Sequence, residues 1–170
     1  MTFNFHKGTH RARPFYWLAW FPVLFRKVIK RQVCFDFSCK YELPGGDQAD
    51  HNKLFGVSYS LSPKKNSARF AWRFDPVKNR FILSAFCHIN GQMIMQDICE
   101  AFATKQYDCF LTINSDAYCF RVTFSQTGSV IGNARIPKQG NKRIGFLLGP
   151  YFGGNRTAPQ KMSLTLKKIK

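Results

Sequence analysis

Arg69 and Arg73 stand four residues apart in Asn66-Ser-Ala-Arg-Phe-Ala-Trp-Arg73, and His88 follows in Phe86-Cys-His-Ile89. In an extended segment, positions four apart share a face, here about 13 Å apart at roughly 3.3 Å per residue. Planar guanidiniums grip carboxylate or sulfate through paired N–H donors. Outward arginines on an aromatic-backed strand are equally ordinary solvated surface. A second group is Gly149-Pro-Tyr-Phe-Gly-Gly-Asn-Arg-Thr-Ala-Pro159. Its glycines and prolines demand a defined loop, with positive φ at Gly153 or Gly154. Tyr151 can stack on a sugar ring while Asn155 and Arg156 bond its hydroxyls, although the same aromatics would also pin a structural loop. The ligand-binding candidates are Arg69, Arg73, Tyr151, Asn155 and Arg156.

Other chemistries find no support. The chain lacks the Gly-x-Ser-x-Gly elbow, the phosphate loop, the dinucleotide fingerprint and His-Glu-x-x-His. Asp47, Asp50, His51 and Asn52 cluster in one stretch; a polar turn explains them better than a weak cation site. The cysteines, Cys34, Cys39, Cys87, Cys99, Cys109 and Cys119, form no Cys-x-x-Cys pair. No metal site and no cofactor are expected. Most of these cysteines sit among apolar residues, the pattern of free buried thiols in a reducing compartment.

The elements that must position these groups are short and alternating. The chain has 170 residues and is 45% hydrophobic, enough for one packed domain. Strands are predicted at 30–37, 54–61, 69–74, 81–89, 92–98, 107–113, 118–124, 130–136, 143–148 and 162–169. Asn90-Gly91 is a strong hairpin signal that sets His88 opposite Met93. Residues 97–104 could instead form a helical turn, in competition with the hairpin pattern. The expected fold is all-β: a sandwich or jelly roll of about nine or ten antiparallel strands over residues 30–170. Residues 1–29 are expected to form an extended, basic, aromatic arm or edge segment.

Net charge is +17, unevenly spread. Residues 1–40 carry +7, residues 41–130 carry +1 and residues 131–170 carry +9. If the termini meet, they form a basic pole suited to a polyanion or an acidic protein surface; the alternative is a solvated face that only aids solubility. The run from Pro14 to Phe25 is apolar but interrupted by Pro22, followed by Arg26-Lys27, and without a small-residue cleavage site. It is read as neither signal peptide nor membrane span. Phe15, Tyr16, Trp17, Trp20, Phe21 and Phe25 are expected to form a partner interface, and insertion at a membrane surface is a second use for them.

Residues 51–74, taken with Leu148-Gly-Pro-Tyr-Phe-Gly-Gly-Asn-Arg-Thr-Ala-Pro159, resemble small uncharacterised β-sandwich proteins of gut Bacteroidetes and their phages. More distantly, Lys-Leu-x-Gly followed by Ala-Arg-x-x-Trp-Arg is similar to the concanavalin-like jelly rolls of polysaccharide lyases. The second resemblance implies acidic polysaccharide bound across a concave sheet, with Arg69, His88 and Tyr151 as catalytic candidates. The leading expectation is a non-enzymatic binding or structural module, an accessory component of an assembly such as a phage particle. It would be oligomeric or part of a complex, cytoplasmic or virion-borne, docking on an acidic or apolar protein surface and contacting acidic glycan. A lyase acting on uronate polymers and a non-specific nucleic-acid binder are the alternatives.

Overall fold

A computed structural model describes residues 1–14, 22–24, 27–138, 140 and 144–169, with only the backbone described at 22–24. The chain forms two antiparallel sheets packed face to face. From the N-terminus the strands are β1 (Thr2–Phe5), β2 (Ala12–Arg13), β3 (Pro22–Leu24), β4 (Val28–Phe35), β5 (Asn52–Ser58), β6 (Ser67–Asp75) and β7 (Arg80–Ile89). They continue as β8 (Gln92–Ala101), β9 (Gln106–Ile113), β10 (Ala117–Phe124), β11 (Val130–Pro137), β12 (Ile144–Leu148) and β13 (Met162–Lys168). One sheet runs β11-β10-β9-β4-β13-β1-β2 and the other β3-β12-β5-β6-β7-β8. The strands expected from residue 30 onward are β4 to β13. No helix among the described residues is long and apolar enough to cross a membrane.

Aromatic side chains from both inner faces fill the space between the sheets. Phe35 of β4 stacks on Phe81 of β7 at 4.4 Å, and Trp72 of β6 packs against both. Phe70 meets Phe120 of the opposite sheet edge-on at 5.0 Å. Beside these rings lie the buried thiols of Cys39, Cys87 and Cys109; all the cysteines are free. The sheets close along β8 and β11, where a Cβ on Gly132 would stand 2.4 Å from the Ile98 carbonyl oxygen. A side chain there would push the edges apart.

Two expectations change. Residues 97–104 form no helical turn: Asp97 to Ala101 finish β8, and Thr104 turns the chain at φ 64°. Alternation in β7 fixes the pairing partner, which outweighs local helical preference. Arg69, expected on an exposed face, is only 9% exposed. Where residues 1–29, expected as an arm or edge segment, are described, they enter the sheets: β2 and β3 are edge strands, and β1 lies between β2 and β13. Thr2-Phe3-Asn4-Phe5 alternates, pairs with Met162–Thr165 of β13, and buries Phe3 and Phe5 in the core. This pairing also places the two basic terminal segments side by side, with the N-terminal ammonium donating to the Leu166 carbonyl. Residues 15–21 and 25, which carry the expected partner interface, lie outside the described residues.

If β1 is integral to the sandwich, Phe5→Ala should lower the unfolding free energy by about 3–5 kcal/mol, as for a buried phenylalanine. Phe37→Ala, at an exposed position, should change it by less than about 0.5 kcal/mol. Urea denaturation of both variants checks this. Equal, small effects would place the first strand outside the cooperative core.

Candidate functional site

The outer face of the six-stranded sheet carries the chemistry. Cross-strand partners share a face. The pairs Arg69↔Phe86, Ala71↔Ser84, Ser84↔Asp97, Phe86↔Met95 and His88↔Met93 therefore project away from the core. The Asn90-Gly91 turn, with φ of 52° and 88°, sets this register, and His88 opposes Met93 as expected. Two β-bulges bring further polar side chains to the same face. In β5 the register skips Leu54, so Lys53 opposes Ala71 on the outside while Phe55 opposes Phe70 on the inside. In β8 it skips Ile98, so Asp97 turns outward while Cys99 opposes Leu83. Bulges re-aim side chains in this way at the cost of one unpaired residue.

At the centre, Lys53 and Arg69 lie against Phe86. The Lys53 ammonium sits 4.2 Å from the Phe86 ring centroid and the Arg69 guanidinium carbon 5.5 Å from it. Each residue is only 9% exposed. Lys53 Nζ donates to the His51 carbonyl at 2.5 Å. Arg69 Nε is buried with no hydrogen-bond partner. Neither cation forms an ion pair with a carboxylate among the described residues. Burial, reinforced by Arg69, lowers Lys53 to about 8, and burial lowers Arg69 to about 10. Two desolvated positive charges with no carboxylate in ion-pair contact among the described residues, Asp50 alone being near enough to act on Lys53, form an acceptor for an anion.

The loop after β12 closes one side of this centre. Lys53 and Tyr151 exchange backbone hydrogen bonds of 2.8 and 3.0 Å, and Phe152 N donates to the His10 carbonyl at 2.7 Å. His10 Nδ1 donates back to the Phe152 carbonyl at 2.9 Å, and the His10 ring stacks on Tyr151 at 5.2 Å. Asn52 locks the loop by accepting from Gly153 N at 2.8 Å and donating to the Tyr41 hydroxyl at 2.8 Å. A Cβ on Gly153 would lie 2.0 Å from the His51 carbonyl oxygen and 2.6 Å from Lys53 Nζ. Only glycine lets the loop approach the ammonium so closely, while the expected positive φ falls on Gly154, at 77°.

Beside the centre, Arg73 is already committed. It donates to both Asp97 carboxylate oxygens at 2.6 Å and to His51 Nε2 at 2.9 Å. Arg73, chiefly, holds the Asp97 carboxyl down at about 2. Accepting from a guanidinium requires neutral His51, and burial followed by Arg73 lowers its pKa. Ser84 Oγ donates to Asp97 at 2.8 Å, so its proton points to the carboxylate. The serine, histidine and aspartate are a cross-strand clasp, not an activated nucleophile.

Of the sequence-derived candidates, Arg69, His88 and Tyr151 come together on this face. His88 packs edge-on against Phe86 at 5.3 Å, its Nδ1 buried and unpartnered. Burial lowers its pKa first, followed by the charges of Arg69, Lys53 and Lys64. Tyr151 is close enough to influence the Arg69 guanidinium. Arg156 is instead largely exposed and pairs with Asp47 at 2.9 Å, while Asn155 projects into solvent. The polar stretch at 47–52 thus disperses: Asp47 to Arg156, His51 to Arg73, Asn52 to Tyr41 and Gly153. Lys53 and Phe86 were missed. Phe86 was legible as an aromatic out of phase with Phe81, Leu83, Ala85 and Cys87.

No protein-family model and no curated protein sequence matches the chain. Its fold is similar to that of the alginate lyase from Klebsiella pneumoniae, with a TM-score of 0.62 and 9% identity over 84% of this chain. This chain spans 58% of that lyase's length. A functionally unknown protein from Saccharomyces cerevisiae aligns over 99% of this chain and 88% of its own length, with a TM-score of 0.53 and 13% identity. A bacteriophage CBA120 tailspike domain aligns over 88% of this chain and 24% of its own, with a TM-score of 0.47 and 10% identity, too distant to bear on function. At these identities the likeness concerns the fold alone: the chain is an all-β sandwich of the jelly-roll type.

Proposed function

We propose that the protein binds acidic polysaccharide on the outer face of its six-stranded sheet, as a non-catalytic module of a larger assembly such as a phage particle. The observation that carries this is the pair of buried cations, Lys53 and Arg69, lying on Phe86 with no carboxylate in ion-pair contact among the described residues. A uronate carboxylate supplies the missing charge, and the sugar ring finds Tyr151 alongside. A compact anion such as phosphate would use the cations but not the aromatic rings. The paired basic termini and the aromatic residues Phe15, Tyr16, Trp17, Trp20, Phe21 and Phe25 serve as the docking surface to the assembly in this reading.

A second reading is β-elimination on a uronate polymer, favoured by the convergence of Arg69, His88 and Tyr151. Lys53 and Arg69 would hold the carboxylate and stabilise charge delocalised into it. Neutral His88 would take the C5 proton, and the C5–H electrons would form the C4–C5 double bond. The C4–O bond would then break, its oxygen leaving with a proton from the Tyr151 hydroxyl.

Calorimetric titration with oligouronates tests the binding. Arg69→Met should weaken it at least tenfold, about 1.4 kcal/mol, while Arg156→Gln should leave it within twofold. Affinity should also fall as pH rises through about 8, because Lys53 is then losing the proton that makes it cationic. Lys53→Arg should flatten that fall. Equal affinity in wild type and Arg69→Met would exclude the site. Comparable binding to duplex DNA, lost log-linearly with salt, would favour the nucleic-acid alternative.

For the elimination reading, incubation with uronate polymer should generate ultraviolet absorbance from unsaturated ends. Tyr151→Phe should abolish it while retaining binding. No absorbance from the wild type, with binding intact, leaves the non-catalytic module.

A further inference from the structure

A groove of about 520 Å³ opens beside the site, lined by His6, Thr9, His10, Arg11, Arg13 and Tyr151. Tyr151 belongs to both. Its backbone bridges Lys53 on one side and Arg11 on the other, so the three residues lie in one row across the strand direction and project to one face. At roughly 4.8 Å per strand spacing, Arg11 and Lys53 stand about 10 Å apart along that row. Among the described residues no carboxylate lines the groove, whereas Arg11, Arg13 and two histidines do.

These basic residues are held by the fold. Arg13 pairs with Asn4 across β1 and β2. The turn between those strands is tied to the loop after β12 by Gly8 N to the Ala158 carbonyl at 2.9 Å and Ala158 N to the Thr9 carbonyl at 3.0 Å. Thr9 Oγ bonds the His6 carbonyl at 2.8 Å within the turn. The same connections that place Tyr151 against Lys53 therefore place the arginines one step further along.

We propose that this groove is a second anion-accepting subsite, and that the ligand is a glycan chain with acid groups on successive residues, lying across the strands from Lys53 and Arg69 over Tyr151 to Arg11 and Arg13. This rests on the acidic-polysaccharide reading and adds to it a second subsite, a direction and a minimum length. The inner subsite is desolvated and takes one carboxylate. The outer one is open and electrostatic, and its contribution shrinks as salt is raised.

The test is calorimetric titration with oligomannuronates of two, four and six residues, using the wild type and Arg11→Gln/Arg13→Gln. Wild type should bind the tetramer about tenfold more tightly than the dimer, and the double variant should lose that gain while binding the dimer unchanged. Both arginines are exposed, so the variant should fold, and an unchanged denaturation midpoint verifies that. Equal affinity for dimer and tetramer in the wild type, or a tetramer affinity unaltered by the double substitution, overturns the second subsite and leaves the first standing. Failure to bind at any length overturns both.

Discussion

Lys53 and Arg69 are held out of water on one phenyl ring, and most of the local architecture follows from keeping them there. Burying an ionised group without a partner costs several kcal/mol. The cation–π contacts with Phe86 and the single bond from Lys53 to the His51 carbonyl offset only part of that cost. The sandwich below must therefore supply stability in excess. It does so with an aromatic core that runs through Phe35, Trp72, Phe81, Phe70 and Phe120. On the proposed reading, an anion arriving at the site would recover part of what burying these charges costs the free protein.

Three devices maintain the arrangement. The bulge in β5 changes the phase of the strand so that one lysine faces outward from an otherwise core-forming segment. Asn52, adjacent to it, anchors the Tyr151 loop, and Gly153 lets that loop come against the ammonium. Arg73 is neutralised by Asp97 and held by neutral His51. The contrast between Arg69 and Arg73 is informative, because both share a strand face and only one has a carboxylate.

The strand pattern from residue 30 onward was legible because alternation with period two survives in nearly every segment, and Asn90-Gly91 fixed one register outright. Phe70, Trp72 and Phe74 against Arg69 and Arg73 identified the correct outer face. Lys53 was not legible. Counting alternately from Phe55 and Val57 assigns it to the core, and only the bulge, which depends on pairing with β6, reverses that. The place of β1 inside the sheet was not legible for a related reason: four alternating residues are a weak signal, and their partners in β13 stand at the other end of the chain. Arg69 was placed on the right face but taken as solvated, because no local pattern shows that the Phe86 ring and the Tyr151 loop cover it.

If Arg69 is kept for a ligand rather than for the fold, removing its charge should not weaken the free protein. The most direct measurement is the unfolding free energy of Arg69→Met in the absence of ligand, since methionine retains the packed stem and removes the buried charge. Arg69→Met should be as stable as the wild type or more stable, because a desolvated charge without a partner is lost. A loss of about 3–5 kcal/mol, the effect of breaking a buried ion pair, would contradict it and make Arg69 a structural residue.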